Sequence, residues 1–323
     1  MNISLQTALW GINGHQIHTI LKNYPALNLI AFGAMGEKVT AELQVAYPQA
    51  IVCETYAELL NVPGVQFVSL CSPLRTTQTQ DAIDALEKGI HVYAEKPCAT
   101  TEADMDRLIA VAKKGKAIFH DQAGTACGQP YWAMRQIVQS GILGDIVQVS
   151  AQKSYPYGEW RPTSEAIDGG LTLQNGIHAL RFIEHVTGIR ATTIAAVETG
   201  FGEKRQGSDL KMASSMIGRL ENGGVFCAIA NYLNQPGLGS WGNEMLRIFG
   251  TDGMLEMCDG GARTRLIVGK DDRGAIDTSG TAPDWIQCVI DHILHDKPMP
   301  FDLDTELHPL RMVLRAQQSA RAM

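Results

Sequence analysis

The sequence predicts an α/β fold in two parts: an N-terminal doubly wound parallel sheet over residues 1–123 and a C-terminal α+β part over residues 124–323. The second part is expected to hold a large open antiparallel sheet. Three observations lead there. In the first third, short apolar runs alternate strictly with segments of helical period, the grammar of a parallel sheet covered on both faces. Beyond residue 123 the runs lengthen, alternate in polarity and are separated by turn signals. The chain is also long: 323 residues, 45% hydrophobic and 19% charged, favour two cores over one.

Thr7 to Trp10, Leu27 to Phe32, Ile51 to Cys53, Val65 to Cys71, His91 to Ala94 and Ala117 to His120 read as strands. Between them, "EKVTAELQVAY", "TYAELLN", "TQTQDAIDALEKG" and "TTEADMDRLIAVAKKG" carry helical periodicity. The last has Thr101 as its N-cap and Gly115 as its stop. In such a sheet, ligands bind beyond the carboxyl ends of the strands. After one further helix, "YWAMRQIVQSG", the runs "DIVQVSAQKSY", "ATTIAAVETG", "KMASSMIGRLE", "GVFCAIANYL", "EMLRIFG", "GMLEMC" and "RTRLIVG" read as strands. Glu221-Asn222-Gly223-Gly224 and Thr251-Asp252-Gly253 mark antiparallel hairpins. Two helices, "APDWIQCVIDHILHD" and "TELHPLRMVLRAQQSARAM", close the chain.

Composition excludes several classes of function. A net charge of -7 and a pI near 5.7, with Lys and Arg scattered, provide no basic footprint for nucleic acid. Seven cysteines, an odd number without a C-x-x-C pair, fit reduced core thiols and no metal site. The start "MNISLQTALWG" lacks the basic and apolar regions of a secretory signal, and no uncharged run approaches membrane-spanning length. The expectation is a cytoplasmic protein with no membrane partner.

Two stretches of the first part carry chemistry. "WGINGHQIH" follows the first strand and has the outline of a dinucleotide-binding loop, in which three glycines make the turn, admit the pyrophosphate and let a helix pack on the strand. Gly11 fills the first of those places, but Asn13 and Gln16 fill the others. Asn13 is expected to tolerate a positive φ, and Gln16 either to push the helix outward or to offer its amide to the phosphates. Gly11, Ile12, Asn13, Gly14, His15, Gln16 and Ile17 are therefore candidate cofactor contacts. Where an acid would hold the adenosine ribose stands Ala34, with Glu37 and Lys38 the nearest charges, so NAD and NADP stay open. "HVYAEKPCATTEAD" places Glu95-Lys96-Pro97 directly after a buried strand, either as a surface ion pair or where cofactor and substrate meet.

In the second part, "DGGLTLQNGIHALRFIEHVTG" reads as a helix with an apolar stripe of Leu173, Ile177 and Leu180. Beside it runs a polar stripe of Gln174, His178, Arg181 and His185. That stripe is either a solvated face or a set of functional groups admitted by Gly169-Gly170.

These motifs together, with Cys71-Ser72-Pro73 after the fourth strand, resemble the glucose-fructose oxidoreductase, inositol dehydrogenase and rhizopine catabolism (Gfo/Idh/MocA) family over nearly the whole chain. The resemblance implies a Rossmann domain joined to an open antiparallel sheet, and hydride transfer between NAD(P) and a sugar, polyol or related compound. It implies that Cys71, Ser72, Pro73, Glu95 and Lys96 lie along the cofactor, that Lys96 binds the reacting hydroxyl, and that the Lys96-Pro97 bond is cis. The family's aspartate and histidine pair falls on Gln174 and His178. An amide orients a hydroxyl but exchanges no proton at neutral pH, so acid–base work is assigned to His178.

His120, Gln122, Lys153, Tyr155, Tyr157, Trp160 and Arg161 follow strand ends and are residue types that meet carbohydrates; with Lys96, Gln174, His178 and Arg181 they complete the candidate substrate set. The expected function is an NAD(P)-dependent oxidoreductase acting on CH–OH groups of a carbohydrate-like small molecule. A redox-assisted lyase or glycosidase and a non-catalytic sugar or nucleotide sensor are the alternatives. A homodimer or homotetramer is expected, formed through the open sheet, because "GVFCAIANYL" and "KMASSMIGRLE" put apolar residues on both strand faces.

Overall fold

Six parallel strands form the first sheet of the computed structural model, which describes residues 4–201 and 205–322. They are β1 (Leu5–Trp10), β2 (Leu27–Gly33), β3 (Ile51–Cys53), β4 (Phe67–Leu70), β5 (His91–Ala94) and β6 (Phe119–Asp121), in the order β3-β2-β1-β4-β5-β6. Each neighbouring pair is parallel. Helices α1 (Gly36–Ala46), α2 (Tyr56–Leu60), α3 (Gln78–Glu87) and α4 (Glu102–Lys114) lie in the crossovers. Local chemistry sets their ends. Thr55 and Glu58 close a capping box on α2, and the Thr101 hydroxyl accepts from Asp104 N to start α4. Strand order reverses between β1 and β4, which opens a crevice at their carboxyl ends.

The segment after β1 departs from the expected helix. It forms two short 3-10 turns, Ile17–Thr19 and Leu21–Asn23. Gln16 holds an extended conformation (φ -63°, ψ 136°) with its side chain turned inward, and Pro25 follows too soon for an α-helix to develop.

The second sheet contains β7 (Ile146–Pro156), β8 (Ala191–Glu198), β9 (Ala213–Leu220), β10 (Val225–Asn234), β11 (Met245–Gly250), β12 (Gly253–Cys258), β13 (Arg263–Val268) and β14 (Asp271–Gly274). Their order is β14-β13-β12-β11-β7-β10-β9-β8. The two expected hairpins join β9 to β10 and β11 to β12. The sheet is antiparallel except where β7 pairs with β10 in parallel. Along β10, Phe226, Ala228, Ala230, Tyr232 and Asn234 are buried, whereas Val225, Ile229 and Leu233 are exposed, the period-2 alternation of a sheet covered on one face.

Helices α5 (Tyr131–Gln139), α6 (Glu165–Asp168) and α7 (Ile177–Thr187) follow in chain order, and α7 packs against α5, β7 and β10. Every residue of α7 is buried, so of the two readings of its polar stripe the solvated face is excluded for His178, Arg181 and His185. A π-helical turn, Thr172–Gly176, leads into α7, and Gly188 ends it in the left-handed region at φ 74°.

The chain falls into two units that part between Gln122 and Ala123, beside the expected boundary, with two later segments returning to unit 1. Unit 1 comprises Met1–Gln122, Ala166–Asp168 and Trp285–Leu303; unit 2 comprises Ala123–Glu165, Gly169–Asp284 and Asp304–Met323. Hydrogen bonds tie the returning segments into unit 1. Arg75 N donates to the carbonyls of Ala166 and Ile167 at 3.0 and 3.1 Å. The indole of Trp285, which opens α8 (Trp285–His295), donates to Asp121 O at 3.0 Å. A last helix, α9 (Leu303–Arg321), belongs to unit 2 from its second residue onward. Cys53, Cys71, Cys98, Cys127 and Cys258 are buried thiols.

Candidate active site

In unit 1, the β1 loop crosses the end of β4 so closely that only glycine fits at Gly11. Its φ is 74°, and a Cβ there would stand 2.0 Å from Cys71 O. The second positive φ falls on Gly14 (120°) rather than on Asn13 as expected. A Cβ on Gly14 would meet the Glu95 side chain at 2.6 Å. Bare backbone at these two places, beside the crevice, is compatible with the close approach a dinucleotide requires.

Gln16 takes no part in that surface. It is 5% exposed, and its amide donates to the carbonyls of Trp10 (3.3 Å), Gly11 (2.9 Å) and Ser69 (3.1 Å). Its Oε1 accepts from Ser69 Oγ at 2.6 Å and Ile17 N at 2.9 Å. The expected phosphate contact is therefore corrected, because every polar atom of this side chain is used to join the β1 loop to β4. Asn13 likewise turns away from the ligand side, donating to Ser72 O (3.2 Å), Pro73 O (3.3 Å) and Ile167 O.

At the end of β5, Glu95 and Lys96 are 1% and 2% exposed, and the Lys96-Pro97 bond is cis. This placement excludes a surface ion pair. Glu95 Oε2 accepts from His15 N at 2.6 Å and lies 3.1 Å from His15 Nδ1. Burial pushes the carboxyl up, but His15, Lys96 and Arg75 outweigh it and hold Glu95 at about 2. Glu95 is thus ionised at neutral pH.

Two residues not anticipated from the sequence brace this corner. Arg75 is buried and donates to Asn13 O at 2.7 Å and to Gln78 Oε1. Gln78 accepts from Ser72 N at 3.2 Å and donates to Glu95 O and, at 3.1 Å, to Pro97 O. The Ser72 hydroxyl donates to Asp81 Oδ2 at 2.6 Å. At the end of β2, Ala34 is exposed with φ 55°, and the nearby Lys38–Glu42 pair (4.0 Å) is solvated.

In unit 2, a second cluster gathers around Tyr155. His178 is 7% exposed, its Nδ1 lies 2.8 Å from Thr125 Oγ1, and its ring meets Tyr155 edge-on at 6.2 Å. Lys153 Nζ stands 4.8 Å from the centre of the Tyr155 ring and is ion-paired with Glu244. The Arg161 guanidinium lies 5.6 Å from the Tyr155 ring centre and 3.7 Å from that of Tyr232. Tyr232 in turn donates its hydroxyl to Gln174 Oε1 at 3.3 Å. Trp241 packs 6.0 Å from Tyr155 and 6.1 Å from the exposed Trp160. Lys153, Tyr155, Trp160, Arg161, Gln174 and His178 were anticipated members. Thr125, Tyr232, Trp241 and Glu244 were not, and Tyr232 had a signal only in its place on the buried face of β10.

The other candidates lie elsewhere. Arg181 is fully buried in α7. His185, also fully buried, is lowered to about 3 by burial and the Arg181 charge. His120 belongs to unit 1 and is enclosed, its ring 6.1 Å edge-on to Trp285 and its Nε2 3.0 Å from His292 Nδ1. Gln122 and Tyr157 are half-buried; the Gln122 amide reaches Cys71 Sγ at 4.0 Å.

Two family models match the chain. Residues 11–122 match an oxidoreductase family with an NAD-binding Rossmann fold, and residues 131–256 match the GFO/IDH/MocA C-terminal domain. The inositol 2-dehydrogenase of Gluconacetobacter diazotrophicus is 29% identical over 133 residues, 41% of this chain and only 39% of that protein's length. The rhizopine catabolism protein MocA of Rhizobium meliloti is 24% identical over 242 residues, 71% of each chain. An aldose-aldose oxidoreductase from Caulobacter crescentus shares the fold with a TM-score of 0.81 at 18% identity, over 99% of this chain and 98% of that one. GenD2 from gentamicin A biosynthesis, solved in complex with NAD, shares it at 0.79 and 18% identity, over 99% and 95%. Among the described residues, no helix is long and apolar enough to cross a membrane.

Proposed function

Since the chain belongs to the GFO/IDH/MocA oxidoreductase family, with an NAD-binding Rossmann fold at its N-terminus, we propose that it transfers a hydride between NAD or NADP and a CH–OH carbon of a sugar, polyol or sugar-derived compound. The observation that carries this reading is the Lys96 ammonium, 2% exposed beside an ionised Glu95 at the end of an inner strand. A buried charge pair of this kind is expensive to maintain for stability alone.

The backbone of residues 11–15, Ser72 and Pro73 would hold the dinucleotide, with Ala34 near the adenosine ribose. When bound, the nicotinamide supplies the hydride acceptor or donor. Lys96 binds the reacting oxygen and stabilises the negative charge that develops on it. Glu95, fixed by His15 N–H, places a negative charge next to Lys96. His178 takes the hydroxyl proton, its ring oriented by the Thr125 hydroxyl on Nδ1. Gln174, held by Tyr232, orients a neighbouring hydroxyl, while Tyr155 and Trp241 offer ring faces to the sugar. No acid stands at Ala34 to select the unphosphorylated ribose, which supports acceptance of NADP as well as NAD.

Titration calorimetry with NAD+, NADH, NADP+ and NADPH tests the cofactor assignment; absence of heat with all four at millimolar concentration overturns it. Lys96→Met keeps the stem and removes the charge, and is expected to lower turnover about a hundredfold or more. Near-normal turnover in both Lys96→Met and His178→Asn would make these groups relics of the fold and favour a sensing role.

A further inference from the structure

Arg161, in the loop after β7, is 7% exposed, yet its charge is poorly matched. Among the described residues its hydrogen-bond acceptor is the carbonyl of Pro156 alone, which receives Nε and Nη2 each at 3.4 Å, long for an N–H···O bond. The Tyr232 and Tyr155 ring faces contact the cation but carry no charge. Among the described residues no carboxylate pairs with this nine-tenths buried guanidinium, which is costly unless something else does.

The surrounding charges show what that partner must be. Lys153, 12% exposed, is neutralised by Glu244, 11% exposed. Tyr155, Tyr232 and Gln174 are neutral groups suited to rings and hydroxyls. Among the described residues, one positive charge, that of Arg161, is therefore left over inside a cluster otherwise built for a polyhydroxy compound.

We propose that the substrate bound here carries a carboxylate, as an aldonate or uronate does, and that it pairs with the Arg161 guanidinium. The planar fork of guanidinium donors matches a carboxylate. A single negative charge also balances the single unmatched positive one, whereas a phosphate dianion would leave a negative charge in excess close to Glu244. Arg161 thereby determines specificity and does no chemistry itself. The assignment deepens the oxidoreductase reading and rests on it only for the chemistry after binding.

Trp241 lies beside Tyr155 and Trp160 beside Trp241, so tryptophan fluorescence of the full chain reports on this cluster. Gluconate and glucuronate are titrated against glucitol, glucose and glucose 6-phosphate, with and without NADH. Wild type is expected to bind the carboxylates about tenfold or more tighter than the neutral compounds, as befits a charge-assisted pair. Arg161→Gln should erase that preference, and Arg161→Lys, which keeps the charge but loses the fork, should retain part of it. Equal affinity for gluconate and glucitol in wild type overturns the proposal without any variant. So does a preference that survives in folded Arg161→Gln, tighter binding of glucose 6-phosphate, or binding of none of the compounds. If carboxylates bind but no nicotinamide nucleotide does, the oxidoreductase reading fails and the carboxylate site stands.

Discussion

Replacing Glu95 with Gln isolates the charge at the centre of the candidate cofactor corner. In the folded chain this carboxyl titrates at about 2, against an ordinary value of 4.5. That difference corresponds to about 3 kcal/mol of pH-dependent stability. Because the folded value lies below the unfolded one, the contribution is complete above pH 4.5 and is lost as pH falls toward 2. Glu95 is buried, but its first partner His15 is 73% exposed, so solvent screens part of the effect and the figure is an upper value. Glu95→Gln keeps the shape and an acceptor for His15 N–H but leaves Lys96 without its neighbouring carboxylate. At neutral pH it should therefore cost about 3–5 kcal/mol, the range for breaking a buried charge pair. Urea unfolding of wild type and variant, followed by circular dichroism at pH 7, 5, 4 and 3, reads both effects. The gap between the two proteins should be widest at pH 7 and narrow steadily below pH 4.5. Parallel stability curves down to pH 3 would refute the argument, because Glu95 would then titrate like a solvated carboxylate.

Three further outcomes are expected. Gln16→Leu should lower stability by about 2–4 kcal/mol in thermal unfolding, because the carbonyls of Trp10, Gly11 and Ser69 lose their donor; a loss under about 0.5 kcal/mol would show those groups find other partners. His178→Asn should reduce kcat/KM by about 10²–10⁴ and remove one limb of its pH profile, whereas Thr125→Val should leave that limb in place with a smaller loss; an unchanged profile in the asparagine variant contradicts the proton-transfer role. Ile217, 64% exposed, shares its face of the second sheet with Val197, Val225, Ile229 and Leu233. If that face joins copies of the chain, Ile217→Asp should convert a dimer or tetramer to monomer in light scattering, and a wild-type monomer at micromolar concentration excludes the assembly.

Much of the fold was legible because its signals are local. The strands of unit 1 stand out as apolar runs between helical segments, and the hairpins at residues 221–224 and 251–252 announce themselves through Asn, Asp and Gly. β14 escaped notice because Asp271, Asp272, Arg273 and Gly274 have no apolar alternation and pair only at the sheet's edge. The parallel pairing of β7 with β10 is a contact between distant segments that periodicity cannot express. Among the candidate residues, Lys96 and His178 were marked by motifs, whereas Thr125, Tyr232, Trp241 and Glu244 come from four separate segments and meet only in folded unit 2. Gln16 was recognised as anomalous, but its direction was misread: a long amide beside a crevice serves the backbone as readily as a phosphate, and three carbonyls within reach decided the outcome.

Unit 1 is assembled from segments far apart in the chain, and this bears on how the protein is made. Residues 4–122 leave the ribosome early, but Trp285–Leu303 belong to the same unit. At about 5–20 residues per second, on the order of 10–40 s separates the emergence of β6 from that of residue 303. Throughout that interval, β6 is an edge strand whose Asp121 carbonyl lacks the Trp285 indole, and His120 lacks the rings that enclose it. An uncovered sheet edge invites pairing with other chains. The nascent protein should therefore depend on chaperones until residues 285–303 are synthesised, and a release at residue 284 should yield aggregates rather than a free nucleotide-binding domain.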